Sequence, residues 1–526
     1  MQRIAIPYAE TGRFSRLVED YLAGDPQLRE FHQWPPDEDG LRQAASARAF
    51  DPAKREVLCR VLQQQYAGMQ VDPAVRQNLQ LLELPSTLTV TTGHQLCLFL
   101  GPLYVPFKVL NVVKLARRLS TPDRAVVPVF WLATEDHDRA EIDHAFINGA
   151  KVQWPGAPAG AVGRLKLEGI QAVLAQVEPL LGRGADADAM RDLLRRCYRP
   201  EHTLAQATRL FADALFGRFG VLVLDADDPE LKRLFAPVMA EELTNQVAAR
   251  TVHYANEKLA GHWRSQAFAR DINIFHLSPG KRARIEQQNG KYQVLDRGPA
   301  FTFDQLNAEL EAHPERFSPN VLLRPLYQET ILPNIAYVGG GGELAYWMQL
   351  RWLFQAVQVP MPVLLLRTSA AFIGPKDVEA LERLGLSVAD LFRPLEALRA
   401  QVASHLAPFP VSVDAERALA ASLYAALRER ARAADPTLEG AVLAAEARAM
   451  HGLDAVGRKL LRAAKCREQQ PLDRLGRVYG RFFPAGGLQE RRENFLPWYA
   501  REGPAFLDRL LDALDPLDPR FSVLPL

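Results

Sequence analysis

Apolar residues in this chain gather into short runs that end in polar clusters, and two such runs lie close together. The first, Ser86-Thr-Leu-Thr-Val-Thr-Thr-Gly93, leads into His94-Gln95. The second, Ala125-Val-Val-Pro-Val-Phe-Trp-Leu-Ala, leads into Thr134-Glu135-Asp136-His137-Asp138. Residues 101–119 between them carry helical patterning, opened by Gly101-Pro102. Strand, helix and strand in that order make a β-α-β unit, and its crossover makes the strands parallel. Both polar clusters then emerge at one edge, the edge where open α/β sheets bind ligands.

The pattern repeats. Residues 220–224 read as another strand, ending in Asp225-Ala-Asp227-Asp228 before a helix opened by Pro229. A further β-α-β unit has a strand over 334–338, a turn Gly339-Gly340-Gly341-Gly342-Glu343, an amphipathic helix over 344–357, and a strand over 362–366 before Arg367. Residues 273–294 alternate around an Asn289-Gly290 turn, as in a small antiparallel insertion. The stretch 150–163 is rich in Gly, Pro and Ala and reads as a loop or the start of an insertion, and helical patterning returns over 169–216. From 376 to 475, Ala, Leu, Arg and Glu recur at helical spacing, broken at Pro408-Phe-Pro410 and Asp435-Pro436, which predicts a helical hairpin or coiled coil.

The expected class is α/β, a parallel-sheet core with insertions and a helical arm. Its divisions are 1–150 for the first part of the core, 151–215 for a helical insertion and 216–245 for a core strand and helix. A small α/β insertion with a hairpin follows at 246–320, then core β-α-β at 321–375, the arm at 376–477, and a tail at 478–526 packing back on the core.

With 526 residues the chain is too long for one ordinary core. Its 48% hydrophobic and 24% charged residues are those of a globular protein, and a net charge of +1 gives no global pull on nucleic acid or membrane. The four scattered cysteines, Cys59, Cys97, Cys197 and Cys466, predict a reducing compartment without a disulfide framework. The start, Met1-Gln-Arg-Ile, shows no signal pattern, and no apolar run is long enough to span a bilayer. A cytoplasmic protein is expected.

The strand-end clusters carry the candidate chemistry. Exposed amides after Gly93-His94-Gln95 and at Gly101 favour a phosphate or carboxylate, with Lys108 and Asn111 one and two turns into the helix; a tight turn with a core histidine is the plain alternative. Glu135, Asp136, His137 and Asp138, with His144 downstream, could take a proton from an amine, bind an ammonium group, or hold a divalent metal. Their alternative is a solvated loop with a helix cap. The four glycines 339–342 permit close backbone approach and an anion nest, but they match neither the Walker loop nor the dinucleotide fingerprint. Tyr337, Tyr346 and Trp347 flank them as core or ligand platform. Arg324 and Arg367 could pair with a substrate carboxylate or with surface acids. Cys97 has no evident base beside it and reads as a buried thiol.

Taken together and in order, the motifs resemble one family. Thr92-Gly93-His94-Gln95 with Gly101-Pro102-Leu103-Tyr104 and Lys108 is similar to the BshC-type cysteine ligases, the cysteine-adding enzymes of bacillithiol biosynthesis. So are Pro128-Val-Phe-Trp131-Leu-Ala-Thr-Glu135-Asp136-His137-Asp138, Pro333-Asn334-Ile-Ala-Tyr337-Val-Gly339-Gly-Gly-Gly342-Glu343-Leu-Ala-Tyr346-Trp347, Gln489-Glu490-Arg-Arg-Glu-Asn494, and Asp515-Pro-Leu-Asp-Pro519. His94 stands where that family more often has Gln. The resemblance implies a Rossmann-like core similar to class I aminoacyl-tRNA synthetases, a coiled-coil arm supporting a homodimer, and amide formation between cysteine and glucosaminyl-malate. No Lys-Met-Ser-Lys-Ser loop is present; Lys376 in Ile-Gly-Pro-Lys-Asp is the nearest stand-in.

The expected function is a ligase with His94, Glu135, Asp136 and His137 as its catalytic groups. Binding residues would be Gly93, Gln95, Gly101, Pro102, Tyr104, Lys108, Asn111, Asp138, Arg324, Asn334, Tyr337, Gly339, Gly340, Gly341, Gly342, Glu343, Tyr346, Trp347 and Arg367. ATP or another nucleotide would activate the carboxyl group, and no resident metal is expected. One rival is a metal-dependent hydrolase built on Asp136, His137, Asp138 and His144; another makes the helical arm a scaffold.

Overall fold

In the computed structural model, residues 3–156 and 160–526 are described, so 157–159 of the predicted loop lie outside the described residues. The chain forms two compact units. Arg3–Ala370 with Glu490–Ser522 makes one, and Ala371–Gln489 with Val523–Leu526 makes the other.

The core of the first unit is a five-stranded sheet. Its strands are β1 (Leu88–His94), β2 (Val126–Leu132), β3 (Leu222–Asp225), β4 (Asn334–Gly339) and β5 (Val363–Leu366). They run parallel in the order β3-β2-β1-β4-β5. The chain winds outward from β1 through β2 to β3, then returns to the other side of β1 at β4. That reversal is the doubly wound, Rossmann-like arrangement, and it opens a crevice at the carboxyl ends of β1 and β4.

The alternation in β1 explains its place at the centre. Leu88 and Val90 enter a core with Val112, Leu115 and Ala116 of helix α1 (Tyr104–Leu119) and with Ile335, Val363 and Leu365. The threonines that follow are buried yet paired: Thr91 Oγ1 donates to Asn334 Oδ1 at 2.9 Å and Thr92 Oγ1 to the Val338 carbonyl at 2.7 Å. These bonds remove the penalty of burying hydroxyls and tie β1 to β4.

Two elements depart from the expected pattern. Helix α1 begins at Tyr104 rather than at Gly101-Pro102, because a 3-10 turn, Leu98–Leu100, and a cis Gly101–Pro102 peptide precede it. A Cβ at Gly101 would collide with the Asn494 amide, so the tail packs directly against that turn. The single helix expected over 344–357 is two, Gly341–Met348 (α2) and Arg351–Ala356. Gln349 at the break is buried, and its side chain accepts from the amides of Gln266 and Ala267 at 3.1 and 2.9 Å.

Between β3 and β4 lies the expected antiparallel insertion. Ile274–Ser278, Lys281–Gln288 and Lys291–Val294 form its centre, extended by Ala300–Phe301 and Phe317–Pro319. Asn289 and Gly290, at φ 51° and 75°, make the tight turn that the Asn-Gly pair favours.

The second unit is mainly helical. Helices α3 (Asp414–Ala434) and α4 (Glu439–Arg467) form an antiparallel hairpin across Pro436–Leu438, laced by Arg428–Glu446 at 3.6 Å and by the Arg417–Asp454 ion pair.

Candidate active site

The crevice between β1 and β4 deepens into a cavity of about 590 Å³. It brings together Gly93, His94, Gln95, Tyr104, Glu135, Asp136, His137, Arg324, Tyr337, Glu343 and Tyr346. Strand register places them: Gly93 pairs with Trp131 and His94 with Leu132, so the turn after β1 and the acidic loop after β2 meet side by side.

Lys108 lies beneath this floor. Its ammonium group is 1% exposed and donates to the Gly93 carbonyl at 2.6 Å and to Glu343 Oε2 at 2.7 Å. Glu343 also accepts from the Tyr337 hydroxyl at 2.5 Å and the Gly340 amide at 2.8 Å. Burial alone would raise the Glu343 carboxyl, but Lys108, Tyr337 and Gly340 bring it down to about 2. His94 is pushed down to about 3, by burial first and by Lys108 next, so its ring is neutral. A neutral imidazole whose Nε2 sits 3.6 Å from Cys97 Sγ does not act as a cationic phosphate ligand.

The adjacent acids Glu135 and Asp136 are displaced in opposite directions. Burial drives Glu135 up; Lys232 at 2.7 Å opposes this, Asp227 adds to it, and the net shift is upward. Lys232 is shared with Asp227, also at 2.7 Å, and Arg164 reinforces that second pair. Burial would raise Asp136 as well, but hydrogen bonds from Gln95 and from the His137 amide and the nearby Arg282 hold it well below the usual carboxylate range. Gln95 Nε2 donates to Asp136 Oδ2 at 2.8 Å, and the His137 amide to Oδ1 at 2.7 Å. Opposed shifts on neighbouring carboxyls separate a group that can exchange a proton from one that stays an anion.

The remaining sequence candidates stand outside the cavity lining. Near Gly101 and Pro102 the amides are spent: Gly101 N–H goes to the Leu98 carbonyl at 3.1 Å and Leu103 N–H to the Glu493 carbonyl at 2.7 Å. Arg367 pairs with Glu490 at 2.7 Å, both almost fully buried, and its guanidinium lies over the Tyr104 ring at 4.6 Å. A substrate carboxylate therefore does not reach it. Asn111 Oδ1 accepts from the Thr368 amide, and Asn334 bridges Thr91 and Glu329 inside the sheet. Trp347 is core, stacked on Tyr337 with centroids 4.3 Å apart. In the glycine turn, Gly340 N–H is capped by Glu343, and Gly339 and Gly341 serve close packing against Leu344 and Val18; Gly342 also lies away from the cavity. An ionised carboxylate occupying that turn does not fit a phosphate nest. Asp138 precedes a four-residue helical turn, Arg139–Ile142. His144 pairs with Asp143 at 3.1 Å.

Several lining groups carry no signature in a motif reading. Arg270, Arg282, Arg284, Asn273 and Asn320 come from the insertion or its borders, and Phe268 stands exposed at the rim. Arg282 and Arg284 alternate on the strand Lys281–Gln288, and this two-residue spacing is the one available hint that they share a face. Among the described residues, the guanidinium groups of Arg270 and Arg284 have no hydrogen-bond or ion-pair partner, and Arg324 is bonded only to the neutral Gln328 and Tyr346. No group of three or more His, Cys, Asp or Glu among the described residues is arranged to hold a metal ion.

Replacing Lys108 by Met should leave the part-exposed Glu343 carboxylate without its cation and cost about 1–3 kcal/mol of stability at neutral pH. Glu343 is depressed in the folded protein, so its contribution is present above its ordinary value of 4.5 and fades as pH falls toward 2. Denaturation of Lys108→Met and wild type should show a gap that is widest at neutral pH and closes in acid. A gap independent of pH would contradict the pairing.

Comparison with known proteins agrees with this fold. Residues 1–368 match a family model described as "Bacillithiol biosynthesis BshC, N-terminal Rossmann-like domain". Residues 370–526 match "Bacillithiol biosynthesis BshC, C-terminal coiled-coil domain". A Flavobacterium johnsoniae protein named "Putative cysteine ligase BshC" is 37% identical over 523 residues, covering 99% of both chains. Proteins of the same name from Christiangramia forsetii and Cytophaga hutchinsonii are 35% and 36% identical, over 99% and 96% of this chain and 98% and 96% of theirs. With its Rossmann-like sheet and its helical hairpin each matched over their full extent, the chain belongs to the BshC family of bacillithiol biosynthesis.

Proposed function

We propose that this chain is a cytoplasmic ligase joining the carboxyl group of L-cysteine to the amine of glucosaminyl-malate, the last step of bacillithiol biosynthesis. The observation that carries the reading is the Glu135–Asp136 pair, one carboxyl raised and one depressed, at the carboxyl edge of the sheet. Asp136, ionised throughout the working range, holds an ammonium group and is too weak a base to deprotonate it. Glu135, raised by burial, takes the proton of the attacking amine. The amine nitrogen then forms its bond to the activated carboxyl carbon, and the leaving group departs with the electron pair of the broken C–O bond. Arg270, Arg284 and Arg324 supply positive charge without carboxylate partners, which suits the two carboxylates of a malyl group.

A carboxylate does not condense with an amine unaided in water, so an activating co-substrate is required, and ATP is the one we propose. The glycine turn is not its phosphate site, because Glu343 already caps it. The metal-hydrolase rival finds no support, since Asp138 and His144 stand away from the Asp136–His137 wall. No helix among the described residues is long and apolar enough to cross a membrane.

Mass spectrometry of the purified protein with cysteine, glucosaminyl-malate and ATP should reveal the amide product; its absence with ATP present would overturn the reading. Glu135→Gln should lower kcat by roughly 10²- to 10⁴-fold. Asp136→Asn should act mainly on the KM for an amine substrate, and a change confined to kcat would reverse the two roles.

We further propose that the arm joins two copies. Leu419, Leu423 and Leu427 recur every fourth residue on α3 and are 73%, 60% and 37% exposed, the stripe a partner helix covers. Light scattering should report a dimer for wild type and a monomer for Leu419→Lys/Leu423→Lys. A monomeric wild type, or an unchanged mass in the variant, would contradict this.

A further inference from the structure

His137 meets the inserted sheet through its Nδ1 atom and its ring face. Arg282, on the strand Lys281–Gln288, places NH1 2.9 Å from His137 Nδ1. Its Nε donates to Ser318 Oγ at 3.1 Å and its NH2 to the Pro319 carbonyl at 2.9 Å. The guanidinium also stacks on Phe275, 4.0 Å from the ring centroid, and the same ring lies 5.5 Å from that of His137. Three bonded nitrogens and a stacked face fix the plane of Arg282, so its place beside the imidazole is set by the insertion.

An arginine donates and never accepts. The imidazole nitrogen at 2.9 Å must therefore offer its lone pair. Among the described residues, the carboxylate oxygen that faces Nδ1, Asp136 Oδ1, lies 3.6 Å away, beyond hydrogen-bond length. The neutral ring then carries its proton on Nε2. A ring with Nδ1 engaged as an acceptor and Nε2 protonated has no lone pair left to take a proton from substrate.

We infer that Arg282 is a positioning residue that locks His137 as an Nε2–H donor, and that His137 serves the ligation by donating a hydrogen bond to the carboxyl oxygen under attack rather than by acting as a base. Charge develops on that oxygen when the amine adds, and a fixed donor is worth most where charge appears in the transition state. The role assigned to His137 rests on the ligase reading; the tautomer does not.

Nitrogen-15 NMR of full-length protein with labelled histidine separates the two claims, with the His137 signal identified by its loss in His137→Gln. The expected wild-type spectrum has Nδ1 unprotonated and Nε2 protonated, and Arg282→Met should release the ring to a mixture of tautomers. A wild-type ring protonated at Nδ1, or an Arg282→Met spectrum unchanged from wild type, would overturn the lock. Because the wild-type tautomer is read without Arg282→Met, a misfolded Arg282→Met leaves the test intact. In the ligation assay, glutamine retains an N–H near the Nε2 position and phenylalanine does not. His137→Gln should therefore keep a kcat about tenfold or more above His137→Phe, with KM similar in both. Equal losses would overturn the donor role. Failure of wild type to ligate at all would fall on the proposed function and leave the spectroscopic result standing.

Discussion

One buried ammonium group ties the two halves of the sheet together. Lys108 reaches from α1 to the Gly93 carbonyl at the end of β1 and to Glu343 at the start of the helix that follows β4. These are the two strands between which the doubly wound sheet reverses direction, so the bond spans the crevice where the ligand site forms. A lysine taken out of water is tolerable only with such partners. Once it is there, its charge keeps Glu343 an anion and adds to the burial that keeps His94 a neutral ring. The floor of the cavity is thereby fixed in both shape and charge.

Above that floor, the same principle is used a second time with the opposite purpose. Lys232 is shared between Glu135 and Asp227, and Arg164 strengthens the Asp227 side. Glu135 shares its cation in a place where burial still raises it, while Asp136 collects hydrogen bonds from its neighbours. Two carboxyls adjacent in sequence thus receive different protonation behaviour from their different surroundings. The insertion completes the arrangement by bringing Arg282 against His137 and unpaired arginines to the mouth.

The division between what was legible in sequence and what was not follows the range of the forces involved. Strand and helix periodicity is local, so β1, α1, β2 and the Asn289-Gly290 hairpin could be read directly, and the meeting of His94 with the Glu135–His137 loop followed from parallel pairing. The start of α1 was misplaced because the tail, through Glu493 and Asn494, takes up the turn before it. Arg367 looked available for a substrate because Glu490, its partner, is 123 residues away. Arg270 and Arg284 went unread for the same reason: nothing local says which surface the insertion covers. The glycine run suggested an anion nest, and only the folded chain places Glu343 across it.

The central claim is that the crevice between β1 and β4 binds both halves of the product, with Asp136 on an ammonium group and the mouth arginines on carboxylates. A crystal structure with cysteine and glucosaminyl-malate bound tests it most directly. An amine nitrogen should lie within hydrogen-bond distance of Asp136, with the malyl carboxylates facing Arg270, Arg284 or Arg324. Substrates seated elsewhere in the molecule, or a carboxylate of either substrate turned toward Asp136, would contradict it.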